Sequence, residues 1–444
     1  MHRLLALGLM ALTVAASAQP PQGGPPPEAF SACRGQSEGA ACRFTNPHGQ
    51  ISGSCRTMRE GRICVPEWGA EPAAQGGRPP ARVAIADHDA SAQQVSSHIP
   101  DTHQGSCFNN STRIDCPRPG QPFYGQDAQY EGAAPSYRDN GNGTVTDLVT
   151  GLVWQQRHNA RRLGYADATR SCAALDLGGR DDWRLPSIKE LYSLADYRGA
   201  AGARPYLNEI FEIHEPDADI LKNDRFASTH RTDMMGQTWS STLYAGDHWD
   251  RPGIQAAFFF NFLDGRIKQA PTNGPNSLFY RCVSGPQWGA NDFADNHDGT
   301  ITDRASGLTW QQADDGKARN WQESLAYCED LNLAGHDDWR LPNVKELESI
   351  VDYSRPEPAI DTGLFSIRDP KGWFWSSTTL GENTRQATYV CFGKCVSVEG
   401  IDVHGAGAQR SDPKTGNPAN DTAQGGQHDA IRIHNYARCV RSTR

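Results

Sequence analysis

Beyond its first twenty residues the sequence has no apolar run near the roughly 20 residues that a membrane-spanning helix needs. Nor is there an excess of positive charge. The 43 Lys and Arg stand against 52 Asp and Glu, a formal charge of -9, so there is no basic footprint for DNA or RNA and no bulk attraction to anionic membranes. C-x-x-C pairs and the matching His spacing of zinc sites are missing, and the fourteen His are scattered without H-E-x-x-H or H-x-H. The single G-x-S-x-G, Gly35 to Gly39, falls inside a tight run of cysteines rather than between a strand and a helix, so no nucleophile elbow is present, and there is no phosphate-binding glycine loop. These absences set aside nucleic-acid binding, zinc chemistry, serine hydrolysis and nucleotide enzymes, and no catalytic residue is nominated.

What remains is a chain of 444 residues, long enough for about three domains. It is 37% hydrophobic and 21% charged, with eleven Trp and fifteen Phe, which is too apolar and aromatic for a disordered polymer. The 44 Gly and 28 Pro favour loops and strands over long helices and exclude a coiled coil. The opening MHRLLALGLMALTVAASAQ reads as a signal peptide over 1–18, with Arg3, an apolar stretch from Leu4 to Val14, and the small-residue site Ala16-Ser17-Ala18. No Cys follows the cleavage site, so no lipid anchor is indicated, and export to a secreted, periplasmic or surface location is expected.

The twelve cysteines agree with that destination, because an oxidising compartment pairs them. After a Pro/Gly arm (19–32), Cys33, Cys42, Cys55 and Cys64 define a module (33–65) too small for a core without staples. Its bonds could be nested, sequential or crossed. The Ala, Gly, Pro, Gln and Ser composition of 66–106 reads as a flexible linker. Cys107 and Cys116 then bracket a short loop in a lead-in segment, 107–136.

The rest is a tandem repeat. Tyr137 to Tyr197 aligns with Phe293 to Tyr353 at an offset of 156 without a gap, and 27 of the 61 positions are identical. The two copies, 137–285 and 286–444, are expected to be two domains rather than solenoid repeats. TVTD and GLVW, or TITD and GLTW, predict a hairpin around a D-x-x-[TS]-G turn. A first helix follows, with Tyr165, Thr169, Cys172 and Leu175, or Trp321, Leu325, Cys328 and Leu331, on one face. Ser187 with Glu190, and Asn343 with Glu346, predict a capping box at the start of a second helix. FFFNF and TYVCF predict strands. The copies diverge at 200–238 and at 400–428, long polar segments that read as binding loops on a rigid scaffold.

Two motifs invite chemistry. Asp181, Asp182 and Arg184, with Asp337, Asp338 and Arg340, form an Asp–Arg cluster in D-D-W-R-L-P. Placed just before a capped helix, it is expected to satisfy loop backbone groups and close an ion pair, with Trp183, Pro186, Trp339 and Pro342 completing a structural motif. The loops carrying Asp139 and Asn142, and Asp295 and Asp298, are oxygen-rich and each is followed by a further acid, Asp147 or Asp303. A hard cation such as calcium suits such ligands, and these six residues are its candidate set. Ordinary Asn-Gly and Asp-Gly turns are the competing reading.

The motifs D-N-x-x-G-T-[VI]-T-D-x-x-[TS]-G-L-x-W-Q-Q, D-D-W-R-L-P-x-x-K-E-L, W-S-S-T and the closing R-C-V give both copies a resemblance to the C-terminal domain of bacterial collagen-like adhesins, the Lcl type. That family is placed among C-type-lectin-like folds, together with formylglycine-generating relatives. The resemblance implies an α+β fold, two helices packed on small antiparallel sheets in each copy. It also implies a bridge from the first helix to the last strand, Cys172–Cys282 and Cys328–Cys439, which leaves Cys391 and Cys395 for each other across a tight hairpin at Gly393. The lectin-type E-P-N and W-N-D motifs are absent, so no sugar-binding residue carries over. The function implied is binding or adhesion to an extracellular polymer, glycan or protein, with no cofactor beyond the candidate calcium. A copper- or thiol-dependent oxidoreductase using Cys391 and Cys395, and a structural part of an envelope assembly, are the alternatives.

Overall fold

In a computed structural model the described residues are 27–46, 49–58, 61–66, 93–94, 98–159, 161–200, 204–213, 236–274, 276–381, 383–417 and 427–443. The segment 1–18 read as a signal peptide, most of the 19–32 arm and most of the segment read as a linker lie outside them. The chain falls into two units, 1–78 and 79–444.

The first unit contains a short helix, α1 (Pro27–Ser31), and an antiparallel sheet of β1 (Ala41–Asn46), β2 (Gly49–Met58) and β3 (Gly61–Pro66). Its disulfides are Cys33–Cys55 and Cys42–Cys64, so the connectivity is the crossed one. The four half-cystines are themselves most of its core, with Ala29. A module this short offers little else to bury.

The second unit opens with short strands, β4 (Gln93–Gln94) in the segment read as a linker and β5 (Cys107–Phe108), β6 (Arg113–Ile114) and β7 (Tyr130–Glu131) in the lead-in. The Cys107–Cys116 disulfide closes the β5–β6 hairpin. Copy one then builds β8 (Tyr137–Asp139), β9 (Thr144–Asp147), β10 (Val153–Gln155), α2 (Tyr165–Ala173), α3 (Ile188–Ser193), β11 (Gln237–Leu243), β12 (Ala256–Asn261), β13 (Arg266–Pro271) and β14 (Val283–Ser284). Copy two repeats the plan with β15 (Phe293–Asp295), β16 (Thr300–Asp303), β17 (Leu308–Gln311), α4 (Trp321–Glu329), α5 (Val344–Ser349), β18 (Trp373–Thr379), β19 (Gln386–Cys391), β20 (Gln409–Pro413) and β21 (Val440–Ser442). Each copy holds a four-stranded sheet closed by its own last strand, β14-β10-β9-β8 and β15-β16-β17-β21, and a three-stranded sheet, β11-β12-β13 and β18-β19-β20. The unit is mostly β, with small antiparallel sheets and few helices.

Local chemistry explains the repeated elements. Asp147 terminates β9 by accepting from the amides of Val149 and Thr150, and Gly151, at φ 75°, completes the turn. The capping boxes form as spaced: Ser187 Oγ accepts from the amide of Glu190, whose carboxylate accepts from the Ser187 amide, and Asn343 and Glu346 do the same. A further box, Asn320 with Glu323, opens α4. The buried face of α2 is Ala168 and Cys172, while Thr169, expected on that face, is exposed because its neighbour Ala168 takes the core position.

The copies are not two separate bodies as the repeat suggests. One contiguous core runs from Val145 and Trp154 of copy one to Trp310, Trp375 and Val440 of copy two, and both copies lie in the same compact unit. Residues 98–106, expected as the end of the linker, are largely buried: Thr102 is fully enclosed, and Gln104 exchanges two hydrogen bonds with Thr379 of copy two. The segment 402–414, expected as part of a polar binding loop, is also buried. It contains β20, the third strand of the copy-two sheet, and the turn before it docks on copy one. The Tyr244 hydroxyl donates to Asp402, the Asp402 amide donates to Asp250, and the Lys394 ammonium lies 2.7 Å from Asp250. Many of its polar groups, among them Asp402, His404 Nε2 and Ser411, are hydrogen-bonded to protein, which composition does not reveal. Residues 214–235 and 418–426, the remainder of the two divergent stretches, lie outside the described residues for the most part.

Candidate functional site

The repeated motifs hold the backbone together. In W-Q-Q the side-chain Oε1 of Gln155 accepts from the Cys282 amide, as Oε1 of Gln311 does from Cys439, both at 3.2 Å. The R-C-V arginine reaches back to the same segment. The fully buried Arg438 donates to the carbonyls of Gln311 (2.7 Å), Gln312 (2.6 Å) and Ser366 (2.9 Å). Arg281 likewise holds the carbonyls of Gln155, Gln156 and Glu212. Carbonyls supply most of these bonds, with Asp314 3.5 Å from Arg438, and both guanidiniums feel their burial. It lowers Arg281 to about 9 and Arg438 to about 10, partly opposed by Glu212 and Asp314 respectively.

The Asp–Arg cluster is divided. Arg340 makes a bidentate pair with the capping-box Glu346, both bonds 2.6 Å, at a site where each side chain is almost wholly enclosed. Arg184 pairs with Glu190 at 2.7 and 2.6 Å, but its side chain is a third exposed. The ion pair therefore runs to the helix cap and not to the adjacent aspartates. Asp182 accepts from Ser284 (2.6 Å), and the hydroxyl and Arg180 pull its carboxyl down to about 2. Asp338 accepts from Arg441 at 2.6 Å. Trp183 and Trp339 are buried beside them, each indole N–H donating to a carbonyl.

The candidate calcium residues do not gather at one point. Asp139 pairs with Val145 and Tyr137 with Asp147, so Asp147 sits at the opposite end of the β8–β9 hairpin from the 140–143 turn, and Asp303 is placed likewise in β16. The oxygens of Asp139 accept from the Gly141 amide and the Gln156 amide group, and those of Asp295 from the His297 amide and Gln312. Asn142 and Asp298 each accept from the threonine that starts the next strand. Among the described residues the one grouping of three metal-capable side chains is Cys33, Cys42 and Cys64, all of them engaged in disulfides.

The remaining half-cystines pair Cys172–Cys282, Cys328–Cys439 and Cys391–Cys395, and no free thiol is present among the described cysteines. The first two tie α2 to the end of copy one and α4 to the end of copy two. Cys391–Cys395 does not clip a tight hairpin. In copy one β12 returns to β13 through residues 262–265, whereas in copy two β19 returns to β20 through 392–408. The bond closes the first turn of that longer excursion, where a Cβ on Gly393 would fall 2.3 Å from the Lys371 Cα. Both sulfurs belong to buried residues.

The polar constellation that sequence reading missed lies between the copies. The Lys189 ammonium donates to the carbonyl of Ser349 (2.6 Å), and Lys345, at the equivalent position, donates to that of Ser193 (2.9 Å). The contact between α3 and α5 is thus isologous, the same patch of both copies used reciprocally. Lys189 also holds Asn291, and Lys345 holds the carbonyl of Asp101. Burial lowers both ammoniums to about 8, against the pull of nearby acids, Glu348 first for Lys189 and Asp101 first for Lys345. Next to them burial raises Glu348 to about 8, opposed by the Tyr353 hydroxyl and Lys189. Burial together with the charge of Asp101 raises Asp127 to about 8. Two cavities, about 250 Å³ and about 410 Å³, flank the strap of residues 287–291 that crosses this seam. One signal was present in the sequence: a lysine in both K-E-L motifs, flanked by apolar residues on a helix with a buried face.

The model of the Lcl C-terminal domain family matches residues 143–284 and 299–408. The chain belongs to the Lcl C-terminal domain family. A search of the curated proteins gives no match. In copy two the match stops at Ala408, immediately before β20, where the 392–408 excursion has replaced the short return of copy one. The motif residues that mark this Lcl C-terminal pair are the ones spent on caps, turns and buried pairs. No described helix is long and apolar enough to cross a membrane.

Proposed function

We propose that this chain is an exported binding protein, in which two fused Lcl C-terminal copies of C-type-lectin-like architecture recognise an extracellular polymer, a glycan or a protein. The observation that carries the reading is the pair of long-range disulfides, Cys172–Cys282 and Cys328–Cys439, joining the first helix to the last strand in each copy. Such ties suit a scaffold that must stay rigid outside the cell while its surface segments do the recognising. Family membership over more than half the chain supports it, as does the signal-like opening. Binding is favoured over catalysis because the motif side chains are engaged with backbone and caps, and because Cys391 and Cys395 are bonded and enclosed. The test is an array of glycans and extracellular proteins probed with residues 19–444 produced in an oxidising compartment. Saturable binding to one polymer class, lost when the disulfides are reduced, is expected. Copper-dependent oxygen consumption that disappears in Cys391→Ser with Cys395→Ser would overturn the reading in favour of an oxidoreductase.

A further inference from the structure

The smaller seam cavity has unfilled hydrogen-bonding capacity. An ammonium has three N–H donors. Lys189 commits two, to Asn291 Oδ1 (3.1 Å) and the Ser349 carbonyl, and Lys345 commits two, to the carbonyls of Asp101 and Ser193. Both line the cavity with a third donor to spare. Glu348 lines it too and is 1% exposed. Its Oε1 accepts from the Tyr353 hydroxyl, but its Oε2 has no protein partner. A buried carboxyl oxygen without a partner is expensive to keep.

The fold itself does not require that acid. The equivalent position in copy one is Tyr192, whose hydroxyl meets the Tyr197 hydroxyl at 2.5 Å, just as Glu348 meets Tyr353. A tyrosine pair closes one half of the seam, and a glutamate with a free oxygen opens the other. Trp288, from the strap, and Tyr192 add aromatic surface to the same cavity.

We infer that this cavity binds a neutral polyhydroxylated ligand, the class of a terminal sugar unit, with one hydroxyl accepting from Lys189 and hydrogen-bonded to Oε2 of Glu348. A hydroxyl is the group that both accepts and donates. A hydroxyl can meet this carboxyl whether it holds its proton or has lost it, whereas a carboxylate or phosphate ligand would meet the ionised form acceptor to acceptor. At about 250 Å³ the space is below the roughly 300–1,000 Å³ of drug-sized pockets, which fits one ring and not an oligosaccharide. The inference rests on the reading of the protein as a binder of extracellular polymers and narrows it to the end of a glycan chain.

The test titrates residues 19–444 with D-glucose, D-galactose, D-mannose and N-acetyl-D-glucosamine, with D-glucuronate as the charged control. Tryptophan fluorescence and saturation-transfer NMR report binding. At least one neutral sugar should saturate the protein, and Glu348→Tyr, which restores the pair found in copy one, should weaken it about tenfold or more while the melting temperature holds or rises. Glu348→Gln, which keeps the shape, should weaken it less. Failure of every neutral sugar to saturate, tighter binding of glucuronate, or unchanged affinity in Glu348→Tyr would overturn the inference. A polymer found on the array and bound equally by Glu348→Tyr leaves the binding function standing and sinks the cavity. A sugar lost in that variant with no polymer on the array does the reverse.

Discussion

The ammonium of Lys345 donates to the carbonyl of Ser193 at 2.9 Å, so a side chain of copy two completes the end of a helix in copy one. Helix ends leave carbonyls unpaired unless something reaches them, and here the partner comes from the other copy. The same lysine holds the carbonyl of Asp101. Lys345→Met should strand both acceptors and destabilise the unit by about 2–4 kcal/mol, measured by urea unfolding. Lys189→Met, at a more exposed site, should be milder. Loss of one copy's signals with the other intact would contradict a shared core.

The two Arg–Glu pairs should differ in weight. Glu346→Gln leaves Arg340 enclosed without a counter-charge and should cost about 3–5 kcal/mol. Glu190→Gln should cost clearly less, since Arg184 reaches solvent. Chemical denaturation of the two variants side by side gives the comparison, and equal losses would mean that burial is not what distinguishes them.

Removing 402–412 should unfold the second copy, because it takes out most of β20 and the Tyr244–Asp402 and Asp250–Asp402 contacts. A calorimetric transition at the wild-type temperature would show that the segment is dispensable.

Glu348 provides a pH test with a fixed sign. Its pKa rises from the ordinary 4.5 to about 8 on folding. The folded state therefore keeps a proton that the unfolded chain gives up, and the stability linked to it is full below about pH 4.5 and lost as the pH climbs through about 8. The groups facing it are Tyr353 and Lys189. The lysine's own depressed pKa acts between about 8 and 10.5 and in the opposite direction, stability rising with pH there. The stability of Glu348→Gln relative to wild type should thus improve from pH 5 to pH 8. A difference that stays flat over that interval would rule out a buried, protonated Glu348.

Chelation should leave thermal stability unchanged. The oxygens of Asp139 and Asp295 are engaged by protein donors, and Asp147 and Asp303 stand at the far ends of their hairpins. A melting temperature that falls on adding EDTA and returns with calcium would restore the loops as metal sites.

Elements set by short-range chemistry were legible in the sequence. The Asp147 turn, the Ser187 and Asn343 caps and the α4 face of Trp321, Leu325 and Cys328 each depend on residues within a few positions of one another, and each was written twice. Contacts between the copies left weaker traces. Nothing in the composition of 98–106 or 402–414 separates a polar loop hydrogen-bonded to water from one hydrogen-bonded to protein. The crossed bonds of the first module and the choice of Glu346 over Asp338 as partner of Arg340 depend on three-dimensional proximity that spacing does not encode. The candidate site suffered most, since Glu348 stands out only when it is superposed on Tyr192.

The placement of the lead-in bears on the order in which the chain can acquire its structure. Gln104 bonds Thr379, Asp127 accepts from Thr378, and Tyr130 donates to Glu329, although this segment precedes copy one. Its partners lie up to 305 positions downstream, where Lys414 donates to the Asn109 carbonyl. During synthesis copy one can meet part of this segment, as where the Tyr197 amide donates to the Thr102 carbonyl, but the last third of the polypeptide must arrive before the rest is covered. Contacts this distant in sequence close slowly, so for that interval the emerging chain presents the polar face of an unfinished seam to any folding helper in the compartment.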